Sequence, residues 1–507
     1  MKKNWIDVFR KTANENPHKT AVVWGEKEIT FDKLNNESLR VAAKILEMTR
    51  VVNRPIVVLL PKSIEVVYVD IGIMYSHNIF SNLDVKTPGD RLNNIISVMK
   101  PIGIITNDKY IDVLNKNDDI FIINLDDEDS IRVDEKNILI RLENQIDTDP
   151  FCIINTSGST GTPKGVVLNH KSFFDFMDWS LSTFDFNIDT IIGALSPIVF
   201  DIYEYELCLM MTVGATMVLL DAAMAAFPAR LLNEMSRTKV NFIFWVPTIM
   251  VNIANMNLLE RISVPTLKIV WFAGEVFPTK QFKYWQSKLP QTVFANLYGP
   301  IEITLDCIYY IVDKEIKDEE PLPIGIPCKN TDILLLNEMD QLCVDDEEGE
   351  ICVRGTSLAM GYYNNPEKTN QVFVQNPLND SYIEYIYRTG DIAYKSSQNG
   401  LIYFKGRKDS LIKHSGYRIE LGEIEHILVN DLKVVKNCCV VYHREKKEIA
   451  IIYEKKFDEA SEIKKKLKQV IPKYMIPKIW KQMDELPRNT NGKIDRLALD
   501  QMINSEV

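Results

Sequence analysis

The stretch Ile154-Asn-Thr-Ser-Gly-Ser-Thr-Gly-Thr-Pro-Lys-Gly-Val166 decides how the whole chain is read. It gathers five hydroxyl residues and three glycines around one lysine, between the apolar runs Phe151–Ile154 and Val166–Leu168. Such a segment predicts a phosphate-cradling loop between two strands. Glycines such as Gly158 let backbone N–H groups close on an anion, the hydroxyls of Thr156, Ser157, Ser159 and Thr160 donate, and Lys164 brings positive charge. A Walker A loop is excluded, because Pro163 replaces the glycine before the lysine and Gly165 replaces the following serine or threonine. A flexible Ser/Gly/Thr linker has the same composition. The apolar flanks and the order of residues speak for the loop.

Outward from that loop, the chain reads as alternating helix and strand. Helical periodicity from Trp5 to about Pro150 is broken by the short apolar runs Thr20–Val23, Ile56–Leu60, Ile102–Thr106 and Ile120–Asn124. This predicts an α/β layered subdomain with a largely parallel sheet. The alternation repeats from Phe151 to about Val312, with a helix over Pro228–Arg237, a strand over Val240–Trp245 and a helix over Thr248–Asn255, and predicts a second α/β subdomain. Between about Pro321 and Phe404 the strands shorten and glycine turns multiply, which predicts a small β-rich subdomain. After Gly406 the character changes to a compact α+β domain, with strand-like runs at Cys438–Tyr442 and Ile449–Tyr453. The expected organisation is a large N-terminal region over 1–408 and a small, mobile C-terminal domain over 409–507.

Composition narrows the function. The 507 residues are 46% hydrophobic, enough for large packed cores, and the net charge of −11 with a pI near 5.3 leaves no basic surplus for non-specific nucleic-acid binding. Eight scattered cysteines show no C-x-x-C spacing and read as buried free thiols of a reducing compartment. No apolar stretch is long enough for a signal peptide or a membrane helix, so a cytoplasmic protein without a membrane partner is expected. The six histidines lack metal-ligand spacing.

Three further motifs carry chemistry. Asn296-Leu-Tyr-Gly-Pro-Ile-Glu-Ile303 delivers an aromatic, a glycine turn at Gly299 and a carboxylate in quick succession. Such an aromatic can stack on a purine and such an acid can hold Mg²⁺ through oxygen, although an ordinary turn with a buried tyrosine has the same residues. Tyr387-Arg-Thr-Gly-Asp391 offers a carboxylate for the two hydroxyls of a ribose. Leu486-Pro-Arg-Asn-Thr-Asn-Gly-Lys-Ile-Asp-Arg496 places Lys493 on a polar turn, where a lysine is otherwise a solvated charge.

In order, and over nearly the whole chain, these segments resemble the signatures of the adenylate-forming superfamily, which includes acyl-CoA synthetases, luciferases and nonribosomal peptide synthetase adenylation domains. The resemblance implies that the loop from Thr156 to Lys164 holds the phosphates of ATP, that Asn296 and Tyr298 flank the adenine, and that Glu302 binds Mg²⁺. It also implies that Asp391 and Arg407 hold the ribose, that Lys493 enters the active site during adenylation, and that Asp409 is the hinge of a domain rotation. Two positions depart from the pattern. Ile301 stands where the family has threonine, removing a hydroxyl that would contact the α-phosphate, and His414-Ser415 replaces Ile-Arg on the face lining the pantetheine channel.

The segment Phe200-Asp-Ile-Tyr-Glu-Tyr-Glu206 resembles the family's F-D-x-S-x-x-E, whose aspartate pairs with the α-ammonium group of an amino acid. Asp201 is therefore the expected substrate anchor, against a plain helix-capping acid. The remaining pocket positions carried over are Ile202, Tyr205, Phe244, Trp271, Ala273, Leu297, Leu305 and Asp306. Their bulk implies a small amino acid such as alanine, glycine or serine, while Asp306 is able to select a polar or basic side chain instead. The chain ends eleven residues after Arg496, so the expected partner is a separate phosphopantetheinylated carrier protein, as for D-alanine:carrier ligases, with the ligase acting as a monomer. The competing functions are an acyl-CoA or aryl-CoA ligase of the same fold, and a non-catalytic nucleotide-binding homologue suggested by Ile301.

Overall fold

The computed structural model describes residues 4–115, 117–127, 131–156, 163–314, 316, 321–408, 411–455, 460–488 and 494–505. The chain divides into two compact units, Met1–Val85 with Met99–Ile154 and Gly165–Gly406, and Lys86–Val98 with Asn155–Lys164 and Arg407–Val507.

The first unit is built on continuous apolar runs. Phe242–Trp245 and Ile269–Ala273 are buried along their whole length, as strands covered on both faces must be. They lie in a nine-stranded sheet whose six inner strands run parallel, in the order Val293–Tyr298, Ile269–Ala273, Phe242–Trp245, Ile191–Ala194, Thr216–Leu219 and Thr20–Trp24. Antiparallel strands close its edges, Ile308–Ile311 followed by Ile326–Pro327 at one side and Lys27–Thr30 at the other. A six-stranded sheet takes Phe121–Asn124, Gly103–Thr106, Pro55–Val58, Ile79–Asn82, Pro150–Thr156 and Lys164–Asn169 in that order. A five-stranded antiparallel sheet over 331–407 forms the β-rich part.

The strand expectations therefore stand in place, but two memberships change. Thr20–Trp24 does not join the sheet of the first subdomain; it pairs in parallel with Thr216–Leu219, Val22 opposite Met217. Pro150–Thr156 belongs to the first sheet, where Cys152 faces Phe80, and not to the second. Apolar periodicity identifies a strand, whereas its partner is chosen by pairing across nearly two hundred residues, which leaves no local signature.

Between the layers runs the helix Asp201–Val213. Every side chain from Ile202 to Met211 is buried, so the helix has no solvent face at all. Gly214 ends it in the left-handed region at φ 71°, its N–H donating to the Met210 carbonyl. Beside it, Asp70 on the helix Ile64–Tyr75 is fully buried and accepts from Tyr203 Oη at 2.8 Å and Asn82 Nδ2 at 3.1 Å. Burial pushes the Asp70 carboxyl up to about 7, and the two donors only partly offset this.

The second unit contains the antiparallel pair Val435–His443 and Glu448–Lys455, to which Ile479–Met483 adds in parallel. The helices Leu421–His426 and Ala460–Val470 bury Ile424, Ile463 and Leu467 in its core. All eight cysteines are free thiols, seven buried and Cys343 half-buried. Among the described residues no helix is long and apolar enough to cross a membrane.

The Asp70 carboxyl gives the first test. Its folded-state affinity for a proton exceeds the unfolded one, so its contribution to stability is complete below about pH 4 and is lost as pH rises towards 7. An Asp70→Asn variant removes this titration. Thermal melts should show the wild type losing several degrees relative to the variant between pH 5 and pH 8; parallel melting curves would exclude a buried, protonated Asp70.

Candidate active site

The site grows out of the strand Val293–Tyr298 and the turn that follows. A Cβ on Gly299 would lie 2.3 Å from the Leu305 carbonyl oxygen and 2.4 Å from Asp306 Cα, so only glycine fits where the loop folds back on itself. The loop then makes a short 3₁₀ turn over Ile301–Ile303 and reverses through Thr304 and Leu305, both at positive φ, before the Cys307 N–H donates to the Tyr298 carbonyl at 2.8 Å. This geometry buries Glu302 at 1% exposure. Its Oε1 accepts from Tyr362 Oη at 2.8 Å and its main-chain carbonyl accepts from Ala359 N–H at 2.9 Å. Tyr362 in turn bridges to Val166, and the Tyr363 N–H donates to the Gly165 carbonyl at 2.7 Å. The carboxylate is thereby fixed relative to the strand Lys164–Asn169.

Glu302 fits a divalent cation by its chemistry. A magnesium ion on a nucleotide takes one or two protein carboxylates and fills its remaining positions with phosphate oxygens and water. A buried carboxylate oriented by a hydroxyl donor has the chemistry of such a ligand, and among the described residues no group of three or more His, Cys, Asp or Glu side chains is arranged to hold a metal by itself.

The nucleotide side chains expected from sequence come together in part. Tyr298 Oη donates to Asp391 Oδ2 at 2.5 Å, and the Tyr298 ring lies 6.2 Å from that of Phe404. Burial and the neighbouring Asp391 carboxylate push the Tyr298 phenol well above its ordinary range, so it remains a donor at every physiological pH. The Asp391 N–H is held by Thr389 Oγ1 at 3.0 Å. Asn296 donates to the Pro323 carbonyl at 2.8 Å. Within the second unit, Arg407 ends the strand Ile402–Arg407, Thr156 ends Pro150–Thr156, and Lys164 Nζ pairs with Glu420 at 2.5 Å. His414 Nδ1 sits 3.4 Å from Tyr442 Oη, and Ser415 and Gly416 both take positive φ. Ser157, Gly158, Ser159, Thr160, Asp409 and Lys493 lie outside the described residues.

The expected amino-acid pocket positions lie side by side through sheet register. Phe244 pairs with Trp271, and Ala273 two residues on pairs with Leu297, at the carboxyl ends of parallel strands. Tyr205 stacks on Trp271 with centroids 5.1 Å apart and planes at 26°, and Phe244 meets Trp271 edge-on at 5.4 Å. All three are fully or almost fully buried. Asp201 and Ile202 lie in the first turn of the helix Asp201–Val213, while Leu305 completes the left-handed reversal, Asp306 follows it, and both are buried. Ile301 is also buried and belongs to the main apolar cluster. The sequence reading missed Tyr362 and Phe404; neither carries a local motif, since their partners lie far away in the chain.

The first unit is thus a parallel α/β core that carries a buried carboxylate and a tyrosine–aspartate pair at the end of its strand Val293–Tyr298. The chain belongs to the AMP-binding enzyme family: residues 9–363 match the AMP-binding enzyme domain and residues 423–493 the AMP-binding enzyme C-terminal domain. It is 29% identical over 516 residues to the D-alanine–D-alanyl carrier protein ligase of Bacillus cytotoxicus, covering 97% of this chain and 98% of that protein. It is 30% identical over 502 residues to the delta-poly-L-ornithine synthetase of Acinetobacter baumannii, but spans only 36% of that protein's length against 97% of its own. The fold matches the adenylation domain AlmE of Vibrio cholerae, solved with glycyl-adenosine-5'-phosphate, with a TM-score of 0.83 at 19% identity over 100% of this chain and 98% of that one.

The turn provides the second test. Gly299→Ala must push the loop away from Leu305 and Asp306, and urea unfolding should show a loss of about 1–3 kcal/mol, typical of overpacking. Unchanged stability would mean that the loop does not close as described.

Proposed function

We propose that the protein activates a small amino acid as its aminoacyl adenylate, releasing pyrophosphate, and passes the acyl group to the phosphopantetheine thiol of a separate carrier protein. The observation that carries this reading is Asp201, set in the first turn of a buried helix and followed one turn later by Tyr205 stacked on Trp271. An acid at the mouth and packed aromatic rings at the floor suit an α-ammonium group with little side chain beyond it. The D-alanine–carrier ligase similarity supports both the small substrate and the carrier.

In the first step the substrate carboxylate, already ionised at neutral pH, attacks the α-phosphorus of ATP and pyrophosphate leaves, so no general base is required. Asp201 holds the ammonium group, which fixes the carboxylate in line. The Tyr298 hydroxyl keeps Asp391 in one rotamer for the ribose hydroxyls. Lys493 and the segment Thr156–Lys164 balance negative charge on the α-phosphate and the leaving group. A magnesium ion on Glu302 would neutralise charge on the phosphate oxygens. In the second step a rotation at Asp409 brings the carrier thiol to the acyl carbon; the C–S bond forms as the bond to AMP breaks.

A second reading is favoured by Asp306. This buried carboxylate in the same pocket suits a basic side chain, and the similarity to a poly-L-ornithine synthetase points the same way.

ATP–pyrophosphate exchange against L- and D-amino acids, β-alanine, and aryl and fatty acids decides between them. The expected signal is on alanine, glycine or serine; a maximum on ornithine or lysine would transfer specificity to Asp306. Asp201→Ala should lower kcat/KM for the amino acid about a hundredfold or more, the usual consequence of deleting one partner of a desolvated charge pair. Full activity in that variant, or exchange with aryl or fatty acids alone, would reject amino-acid activation.

A further inference from the structure

Lys62 plays no part in the reaction described above, yet it reaches the segment that delivers Asp201. It lies just before the helix Ile64–Tyr75, and its Nζ donates to the carbonyls of Ala194 at 2.5 Å and Ser196 at 2.8 Å. Ala194 ends a strand of the nine-stranded sheet, and its carbonyl also accepts from Leu220 N–H at 2.9 Å. Lys62 thus clamps the chain on both sides of residue 195, where it leaves the sheet. A short connection follows, closed by the Phe200 N–H donating to the Pro197 carbonyl at 3.1 Å, and the next residue is Asp201.

The same helix carries an acid that acts on this ammonium. Glu206, about one and a half turns beyond Asp201, is fully buried, and neither of its carboxyl oxygens has a hydrogen-bond partner among the described residues. Glu206 and Asp221 are the acids that act on the Lys62 ammonium. Tyr203 fixes the intervening turn through Asp70. Both the approach to the helix and its first turns are therefore held from the side of residues 62–70.

We propose that Lys62 is a positioning residue for amino-acid recognition: its ammonium fixes the carbonyls of Ala194 and Ser196 and so sets where Asp201 meets the substrate α-ammonium group. This rests on the reading of Asp201 given above. A cation that merely neutralised Glu206 would serve stability alone. One that clamps the carbonyls must affect the amino acid more than ATP, because the segment it holds leads directly to Asp201.

The test is pyrophosphate exchange with glycine, L-alanine and D-alanine each supplied, comparing wild type, Lys62→Met, Lys62→Arg, the double variant Lys62→Met/Glu206→Gln, and Asp201→Ala. The double variant leaves no unpaired buried charge and serves if Lys62→Met alone fails to fold. It should recover the wild-type melting temperature yet keep an amino-acid KM raised about tenfold, with the ATP KM within about twofold of wild type. Lys62→Arg, which keeps charge and donors, should lie between. The proposal is overturned if the folded double variant has a wild-type amino-acid KM, if both KM values rise together, or if it loses all exchange. Failure of the underlying reading looks different: Asp201→Ala would then retain full exchange, whatever the Lys62 variants do.

Discussion

Burying a helix on every side leaves its polar side chains no water to turn to, and much of the first unit is arranged around that constraint on Asp201–Val213. Glu204 and Glu206 are buried within it, and burial holds both carboxyls above their ordinary range, Glu206 at about 8. Charged, each would cost several kcal/mol in such a place. Neutral, or facing the Lys62 ammonium, they are tolerated. The helix is thereby pinned to the Ile64–Tyr75 helix by Asp70 and Tyr203 and to the sheet by its apolar side chains. Its first turn, which carries Asp201, inherits that rigidity.

A second consequence concerns the turn after Tyr298. Glycine at 299, two left-handed residues at 304 and 305, and a hydroxyl bond from Tyr362 together fix one buried carboxylate. No single one of these would do so. The left-handed conformations each cost about 1–3 kcal/mol for non-glycine residues, and such strain persists only where the surroundings over-determine it. Ile301 sits inside this construction as a core residue, and its side chain packs in the main apolar cluster.

Much of this was legible in the sequence. Phe242–Trp245 and Ile269–Ala273 are apolar without interruption, the mark of a strand covered on both faces, and the residues around Glu302 and Asp391 stand in recognisable order. Sheet membership was not legible, because Thr20–Trp24 finds its partner at Thr216–Leu219, a choice made by packing. Nor were Tyr362 and Lys62, whose hydrogen bonds span 60 residues to Glu302 and 132 residues to Ala194. A tyrosine or lysine with a distant partner looks, in sequence, like any other. The ring stack of Tyr205 and Trp271 lies between these cases: the bulk was readable, the packing was not.

That stack also limits how the pocket proposed for the amino acid could change. Trp271 touches Phe176, Trp179, Phe184, Phe186, Phe242 and Phe244 as well as Tyr205, so the wall of the proposed pocket would also be the centre of the core. Cutting it back to make room for a larger substrate would forfeit about 3–5 kcal/mol of packing, a large part of what holds most domains folded. Ala273 and Leu297 are buried in the same cluster but bring far smaller side chains to it. If these residues do line the substrate pocket, drift in substrate preference along a lineage would be steered towards these two positions, and the aromatic wall would be the slowest part to evolve.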